Sequence, residues 1–202
     1  MKIYGDFLSP FVRMCFVTAH EIGLGEKVQY VKEAVSPTKA NAKLTALSPI
    51  GKVPVLETDH GHAIYDSRVI IEYLCHVAGD RAIIPDDGVK RFRVLTLQAL
   101  GQGLADAAVG YRYETAARPQ GLQWTDWVER CKLRMTAAFD DFEGHWQAEL
   151  AGVNAGSIAV AVVLSYIDFR LPGITWRDGR PRLSAFHGEF TKRASMVKTA
   201  LT

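Results

Sequence analysis

The hydrophobic pattern changes its period along the chain and predicts two kinds of architecture. Over about the first 78 residues, short apolar runs alternate with amphipathic stretches in the order β-α-β-α-β-β-α, separated by glycine and proline turn signals. A β-α-β crossover requires parallel strands, and the late hairpin adds antiparallel ones. We therefore expect one mixed sheet with helices on its faces. The predicted strands cover residues 1–5, 28–31, 53–56 and 62–64, and the predicted helices cover residues 9–24, 39–47 and 67–77.

The remaining chain predicts helices only. Residues 79–88 have the composition of a linker, and residues 158–164 are almost wholly apolar, which is typical of a helix buried on all sides. We expect a domain over residues 1–78, a linker over 79–88 and an all-helical domain over 89–202. The predicted helices of that second domain cover residues 89–118, 124–150, 154–171 and 181–192.

Charge and cysteine content narrow the function classes. The 24 basic and 22 acidic residues give a net charge of +2 without a charge run, which argues against a nucleic-acid or anionic membrane partner. No apolar run approaches the roughly 18 residues of a membrane span, and no signal-peptide pattern opens the sequence, so we expect a cytoplasmic protein. Three widely spaced cysteines without a C-x-x-C pair disfavour a disulfide framework and a zinc site. We expect no metal site.

The Val53-Pro54 pair is unusual within an apolar strand pattern. Proline cannot donate to a β-ladder, so Pro54 marks a strand start or an edge and holds Val53 extended. An X-Pro bond that turns the chain here is a candidate for the cis isomer. We therefore expect the Val53 N–H and C=O to be unpaired.

A second feature follows twelve residues after Pro54, where Asp66 and Ser67 open a helical pattern. The N–H groups at such a helix start can hold a carboxylate. With the Val53-Pro54 pair, this stretch is shaped to receive a peptide. The alternative for Asp66 and Ser67 is an ordinary helix cap.

The element order and motifs of this chain resemble the glutathione transferase family, and the resemblance covers essentially the whole sequence. It implies an α/β thioredoxin-like N-terminal domain followed by an all-α C-terminal helical bundle domain. Serine in the nucleophilic position makes the small bacterial serine-type and cysteine-type members the nearer comparison. The matching segments are S-P-F-V at residues 9–12, G-K-V-P-V-L at 51–56, D-S at 66–67, L-A-D-A-A-V-G-Y-R-Y-E at 104–114 and S-Y-I-D-F-R at 165–170.

The resemblance also implies glutathione as co-substrate and a receptor for each part of this tripeptide. The Val53 backbone would pair with the cysteinyl amide as a short antiparallel strand, next to Pro54. Ser67 and the N–H groups at its helix start would take the γ-glutamyl carboxylate, and Asp66 the amine. Lys52 could reach the glycine carboxylate, with Lys39 as a poorer candidate.

The catalytic candidate is Ser9, at the predicted start of the first helix. A hydroxyl donor there, helped by the helix dipole, would stabilise the glutathione thiolate, which is the nucleophile. The alternative is a helix N-cap. Phe11 could line the cleft or merely pack, Cys15 is interpreted as a core residue, and Arg13 is interpreted as a solvated surface arginine.

The second substrate is expected to be a small apolar electrophile bound by the helical domain. Candidate pocket residues are Asp106, Tyr111 and Tyr113, all within one predicted helix. The two tyrosines are two positions apart and cannot share one helix face, so at most one lines the pocket. The same helix contains glycines whose cost to helix stability hints at close packing or a cleft wall: Gly101, Gly103 and Gly110.

The sequence departs from the family where the buried helix begins. Many members start it with a Ser/Thr-x-x-Asp capping box, whereas this chain has Asn154 and Ser157. We expect a helix start weaker by about 1 kcal/mol.

The expected activity is conjugation of glutathione to a small electrophile, as in detoxification. The alternatives are a non-catalytic glutathione-binding or protein-interaction scaffold and a glutathione-dependent reductase or isomerase. A serine hydroxyl cannot form a mixed disulfide, which counts against disulfide exchange. The resemblance further implies a homodimer in which the α/β domain of one chain contacts the helical domain of the other.

Overall fold

The computed structural model describes residues 1–202 and divides them into two units. The first unit consists of Met1–Gly88 together with Arg193–Thr202, and the second consists of Val89–Lys192. The sequence prediction assigned the last ten residues to the helical domain, but they pack within the first unit. Helical periodicity alone does not tell which partner a helix packs against, so this assignment needed the three-dimensional contacts.

The first unit is built on a four-stranded mixed sheet, as predicted. The strands are β1 (Lys2–Gly5), β2 (Gln29–Lys32), β3 (Val55–Glu57) and β4 (Ala63–Ile64), in the spatial order β2-β1-β3-β4. The pair β1 and β2 is parallel, while β1 with β3 and β3 with β4 are antiparallel. In this register Tyr4 lies opposite Val55, and Leu56 lies opposite Ile64.

Three helices accompany the sheet: α1 (Pro10–Glu21), α2 (Ala42–Leu47) and α3 (Ser67–Ala78). Helices α1 and α3 pack on each other, and the side chains of Val12, Ile70 and Leu74 are fully buried. The burial of these apolar groups stabilises the arrangement by roughly 1.5–3 kcal/mol for each side chain.

The second unit is helical, as predicted, and its central helix is buried from Ala155 to Leu164. The predicted helix over residues 89–118 ends at Arg112 and continues as a π-helical turn, Tyr113–Ala117. The predicted helix over residues 124–150 is divided at Trp146. The division is stabilised by the Trp146 indole, which donates to Asp141 at 2.6 Å. The helices are α4 (Gly88–Arg112), α5 (Thr125–His145), α6 (Gln147–Leu150), α7 (Ala155–Arg170) and α8 (Pro181–Phe190).

Helices α4 and α7 pack in parallel through their glycines. A Cβ added to Gly101 would lie 2.9 Å from the Ala159 Cβ, and one added to Gly156 would lie 2.7 Å from the Leu97 Cβ. Leu97 contacts Gly156 and the later residue Gly101 contacts the later residue Ala159, so the two helices run in the same direction. The close approach at Gly101 confirms the prediction of close packing at this glycine. Gly103 has no atom within 4 Å of an added Cβ, so the prediction does not extend to it.

The start of α7 forms a complete capping box despite its unusual residues. The Asn154 side chain accepts from the Ser157 N–H at 3.0 Å, and the Ser157 hydroxyl accepts from the Asn154 N–H at 3.0 Å. A hydroxyl therefore makes the reciprocal hydrogen bond for which we expected an acid.

The last helix, α9 (Ala194–Lys198), packs on α1. Arg193 binds Glu21 through two hydrogen bonds of 2.8 and 2.7 Å, and the Ser195 hydroxyl donates to the same carboxylate. About two turns of α1 nearer its start, Arg13 donates to the Met196 carbonyl at 3.2 Å. No helix of the structure is both long and apolar enough to cross a membrane.

Candidate functional site

Three strands of the sheet begin or end on one side of it. Strand β1 ends at Gly5, β3 is antiparallel to β1 and begins at Val55, and β4 is antiparallel to β3 and ends at Ile64. The end of β1, the start of β3 and the end of β4 therefore lie on the same side. We call this the sheet edge. The segments that continue from it carry the predicted glutathione residues: Ser9, Val53, Pro54, Asp66 and Ser67.

Ser9 is the N-cap of α1. Its backbone is extended, its Oγ accepts from the Val12 N–H at 3.5 Å, and its C=O accepts from the Arg13 N–H at 3.0 Å. The first turn of α1 approaches β1 so closely that a Cβ on Gly5 would collide with Val12. Gly5 has a φ of 153°, a value that favours glycine, and so contributes to the position of Ser9. The long Val12 contact makes Ser9 a weak cap, and its hydroxyl can donate to another acceptor.

The Val53-Pro54 peptide bond is cis, as predicted. Strand β3 starts after it at Val55, and neither the N–H nor the C=O of Val53 makes a hydrogen bond within the chain. The expected unpaired backbone is therefore present, on a half-buried residue at the sheet edge. It offers one donor and one acceptor to an extended peptide.

Asp66 and Ser67 begin α3. Asp66 is exposed and is the N-cap, with its Oδ1 accepting from the Arg68 N–H at 2.9 Å. Ser67 is only 3% exposed. The peptide bond between Tyr65 and Asp66 is also cis, which the sequence did not predict. The cap interaction that we named as the alternative is present for Asp66, and its second carboxylate oxygen remains available to a ligand.

The remaining predicted glutathione residues are Phe11 in α1 and two lysines in loops. Phe11 lies half-buried in the first turn of α1, where its carbonyl accepts from the Cys15 thiol at 3.4 Å. Lys52 and Lys39 are exposed in loops and form no ion pair with the chain. Lys52 immediately precedes Val53, so it is the better placed of the two lysines.

The predicted electrophile residues belong to the second unit. Asp106 is exposed and Tyr111 is half-buried, both on α4. Tyr113 is 38% exposed and begins the π-helical turn. Asp106 and Tyr113 are about two helical turns apart and share one side, while Tyr111 points elsewhere. Their role in binding a substrate stays a prediction.

Comparison with known proteins assigns the chain to a family. The sequence model of the glutathione S-transferase N-terminal domain matches residues 8–77, and that of the C-terminal domain matches residues 125–189. The chain is 30% identical over 202 residues to the uncharacterized GST-like protein YibF of Escherichia coli (strain K12), with 98% of each chain covered. This chain belongs to the glutathione S-transferase family.

Two solved structures of a glutathione transferase family member from Pseudomonas fluorescens Pf-5 are similar to this chain over almost its whole length. One, with bound glutathione, is 37% identical with a TM-score of 0.97, and the alignment covers 100% of this chain and 98% of that one. The other, with bound S-(propanoic acid)-glutathione, is 36% identical with a TM-score of 0.90, and the alignment covers 98% of both chains.

Cys15 is the cysteine nearest in sequence to the sheet-edge segments, and it is a core residue, as predicted. It is fully buried, and its Sγ lies 3.8 Å from the Ser67 carbonyl oxygen. Burial, and next the Asp66 charge, raise the pKa of Cys15 far above its ordinary value. The thiol is therefore protonated, and it links α1 to α3.

Arg13 corrects the sequence interpretation. We expected a solvated surface arginine, but its side chain is 4% exposed. It donates to the Thr199 hydroxyl at 3.3 Å and to the Met196 carbonyl at 3.2 Å. Burial lowers the pKa of Arg13 to about 10, which still leaves it charged at neutral pH. No local signal could have identified these partners, because they lie at the other end of the chain.

Proposed function

We propose that this chain binds glutathione at the sheet edge, stabilises its thiolate and conjugates it to a small apolar electrophile. Val53 pairs with the cysteinyl amide, and Asp66 and Ser67 bind the γ-glutamyl amine and carboxylate. Ser9 donates a hydrogen bond to the sulfur, with Phe11 and Pro54 shaping the site and Lys52 reaching the glycine carboxylate.

The observation that carries this proposal is the common position of the three segments. A weakly capped hydroxyl, an unpaired strand backbone and a helix N-terminus all lie on one edge of the sheet. Their chemistry matches a tripeptide that offers a thiol, an amide and a carboxylate. Bound glutathione in the Pseudomonas fluorescens relative supports the same ligand for this chain.

The reaction needs few groups beyond the thiolate. Its sulfur forms a bond to the electrophilic carbon, and either a leaving group departs with its electron pair or an adjacent carbon takes a proton after addition. The related structure with S-(propanoic acid)-glutathione supports conjugation through carbon. Asp106 and one of Tyr111 and Tyr113 contribute to the electrophile pocket in this proposal.

The wider context of this activity is also a proposal. The cytoplasmic location, a detoxifying role and a homodimer all accord with a small glutathione-dependent enzyme. Sedimentation at micromolar concentration tests the dimer, because a monomeric mass would contradict it.

The deciding experiment follows thiolate absorbance in the ultraviolet as pH is varied, with the protein saturated by glutathione. We expect the pKa of bound glutathione to lie clearly below that of the free tripeptide. Turnover is then measured with aryl halides, activated alkenes and disulfides. If the pKa of bound glutathione is lowered, we expect turnover of the aryl halides and the activated alkenes. Binding without a lowered pKa would favour the scaffold, and turnover of disulfides alone would favour the reductase.

A further inference from the structure

Two arginines occupy equivalent places at the ends of the parallel helices α4 and α7. Arg112 is the last residue of α4, and Arg170 is the last residue of α7. Each follows its contact residue, Gly101 or Ala159, by eleven positions, which is about three helical turns. Both arginines therefore continue the helix faces that pack together, and they lie at the same level.

No carboxylate neutralises this arginine pair. Both side chains are half-buried, and neither forms a hydrogen bond or an ion pair within the chain. The guanidinium of Arg170 has only the ring of Phe169, 5.5 Å away. By contrast, Arg93, Arg177 and Arg180 of the same unit each bind a carboxylate.

The phenol of Tyr166 interacts electrostatically with both arginines and with Tyr113. Tyr166 is 4% exposed and precedes Arg170 by one turn of α7. Burial raises the pKa of Tyr166 to about 12, Arg170 and Arg112 act in the opposite direction, and Tyr113 adds to the increase. The two guanidiniums and Tyr113 are thus all close enough to Tyr166 to act on its charge.

An ordinary structural explanation exists for each arginine alone. A cation in the last turn of a helix interacts favourably with the helix dipole. That interaction does not require two cations at the same level on facing helix surfaces, where like charges repel. An anion between them would remove this repulsion.

We propose that Arg112 and Arg170, with Tyr113, bind a carboxylate on the electrophile. The substrates are then small acids that carry an electrophilic carbon on an otherwise apolar frame, rather than uncharged electrophiles. This inference rests on the proposed function and refines it, because Tyr113 is one of the residues proposed for the electrophile pocket.

The test compares two aryl halides that share one reaction. The substrates are para-chloro-meta-nitrobenzoate and its methyl ester. In both, the glutathione sulfur bonds to the carbon that carries chlorine, and chloride leaves with the electron pair of that bond. Each kcat/KM is divided by the rate of the uncatalysed reaction with glutathione, which corrects for the different reactivity of the two rings.

We expect the wild-type protein to prefer the acid by about tenfold or more, and the preference to fall as ionic strength rises. Arg112→Met and Arg170→Met should each lose most of the preference while the ester rate stays within about twofold. Arg112→Lys and Arg170→Lys keep the charge and should retain part of it. Arg130→Met, at an exposed position on α5, is the matched control and should change neither rate.

The outcomes separate this inference from the proposed function. Equal turnover of acid and ester, unchanged by the arginine variants, would overturn the inference and leave the transferase intact. If neither compound is turned over, the proposed function fails, and calorimetric binding of the benzoate alone decides the inference. Loss of that binding in the Met variants supports the carboxylate site, whereas no binding to wild type overturns it. Thermal unfolding of each variant shows whether it is folded, and the Lys variants provide the comparison if a Met variant is not.

Discussion

Gly101 faces Ala159 so closely that a methyl group on Gly101 would lie 2.9 Å from the Ala159 Cβ. It would also lie 3.2 Å from the backbone of α7, which cannot move aside as a flexible side chain can. The absence of a side chain at position 101 therefore allows α4 and α7 to come this close.

Gly101→Ala should lower the free energy of unfolding. Overpacking costs about 1–3 kcal/mol, and the better helix propensity of alanine returns about 1 kcal/mol. Gly103→Ala is the matched control, because an added methyl there meets no atom within 4 Å. It should raise the unfolding free energy by up to about 1 kcal/mol. Urea unfolding measures both, and equal effects at the two glycines would show that the contact is not tight.

Arg13→Met should destabilise the first unit by about 1–3 kcal/mol, because the buried Met196 carbonyl and Thr199 hydroxyl both lose the Arg13 donor. Arg13→Lys should recover only part of this, since one ammonium cannot reproduce the geometry of the guanidinium. Arg81→Met serves as control, because Arg81 and its partner Asp86 are both exposed. Denaturant titration of all three decides the matter, and a fully stable Arg13→Met would mean that the C-terminal segment is held by other contacts.

Glu21 should make stability fall at low pH. Burial favours its neutral form, but the hydrogen bonds from Arg193 and Ser195 outweigh burial and lower the pKa of Glu21 below its ordinary 4.5. A carboxyl group with a lowered pKa in the folded state stabilises that state above its unfolded pKa, and this contribution is lost as pH falls through the folded value.

Glu21→Gln should therefore flatten the loss of unfolding free energy below about pH 5. Glu26→Gln removes a carboxylate whose ion pair with Lys198 is exposed, and it should change the curve much less. The measurement is denaturant unfolding of the three proteins at a series of pH values. Parallel curves for wild type and Glu21→Gln would contradict the assigned pKa direction.

Ser9→Ala should raise the pKa of bound glutathione by about one to two units, because a hydrogen bond to a charged sulfur contributes about 1.5–3 kcal/mol. Its affinity for glutathione should change by only a few-fold. Asp66→Ala should do the opposite, weakening binding with little change in that pKa. Ultraviolet titration and calorimetry on the same samples separate the two effects. If Ser9→Ala leaves both pKa and turnover unchanged, Ser9 is only a helix cap.

Sequence reasoning succeeded where the decisive physics is local. The cis Val53-Pro54 bond and the unpaired Val53 backbone follow from what proline can and cannot do. The mixed sheet follows from a crossover and a hairpin. At the candidate site, these rules were enough to find three segments, although their meeting on one edge needed the strand register.

The failures have a different physical origin. The burial of Arg13 depends on acceptors more than 180 positions away, at Met196 and Thr199. At Trp146, between α5 and α6, the indole donates to Asp141, a side-chain contact that helical periodicity does not reveal. At Ser157 the prediction relied on the acid found in the family, whereas the serine hydroxyl oxygen also accepts the hydrogen bond from the Asn154 N–H. The pair of Arg112 and Arg170 is visible only once the register of α4 and α7 is known.

The return of Arg193–Thr202 to the first unit affects the order in which the nascent protein can mature. The sheet and α1 leave the ribosome first, but the acceptors for the Arg13 guanidinium are translated only after the whole of Val89–Lys192. Until then α1 carries a charge that has neither its final partners nor the cover of α9. The α/β unit can therefore reach its native packing only after translation has passed through the helical unit, and a ribosome that stalls in between leaves α1 open to chaperones and proteases.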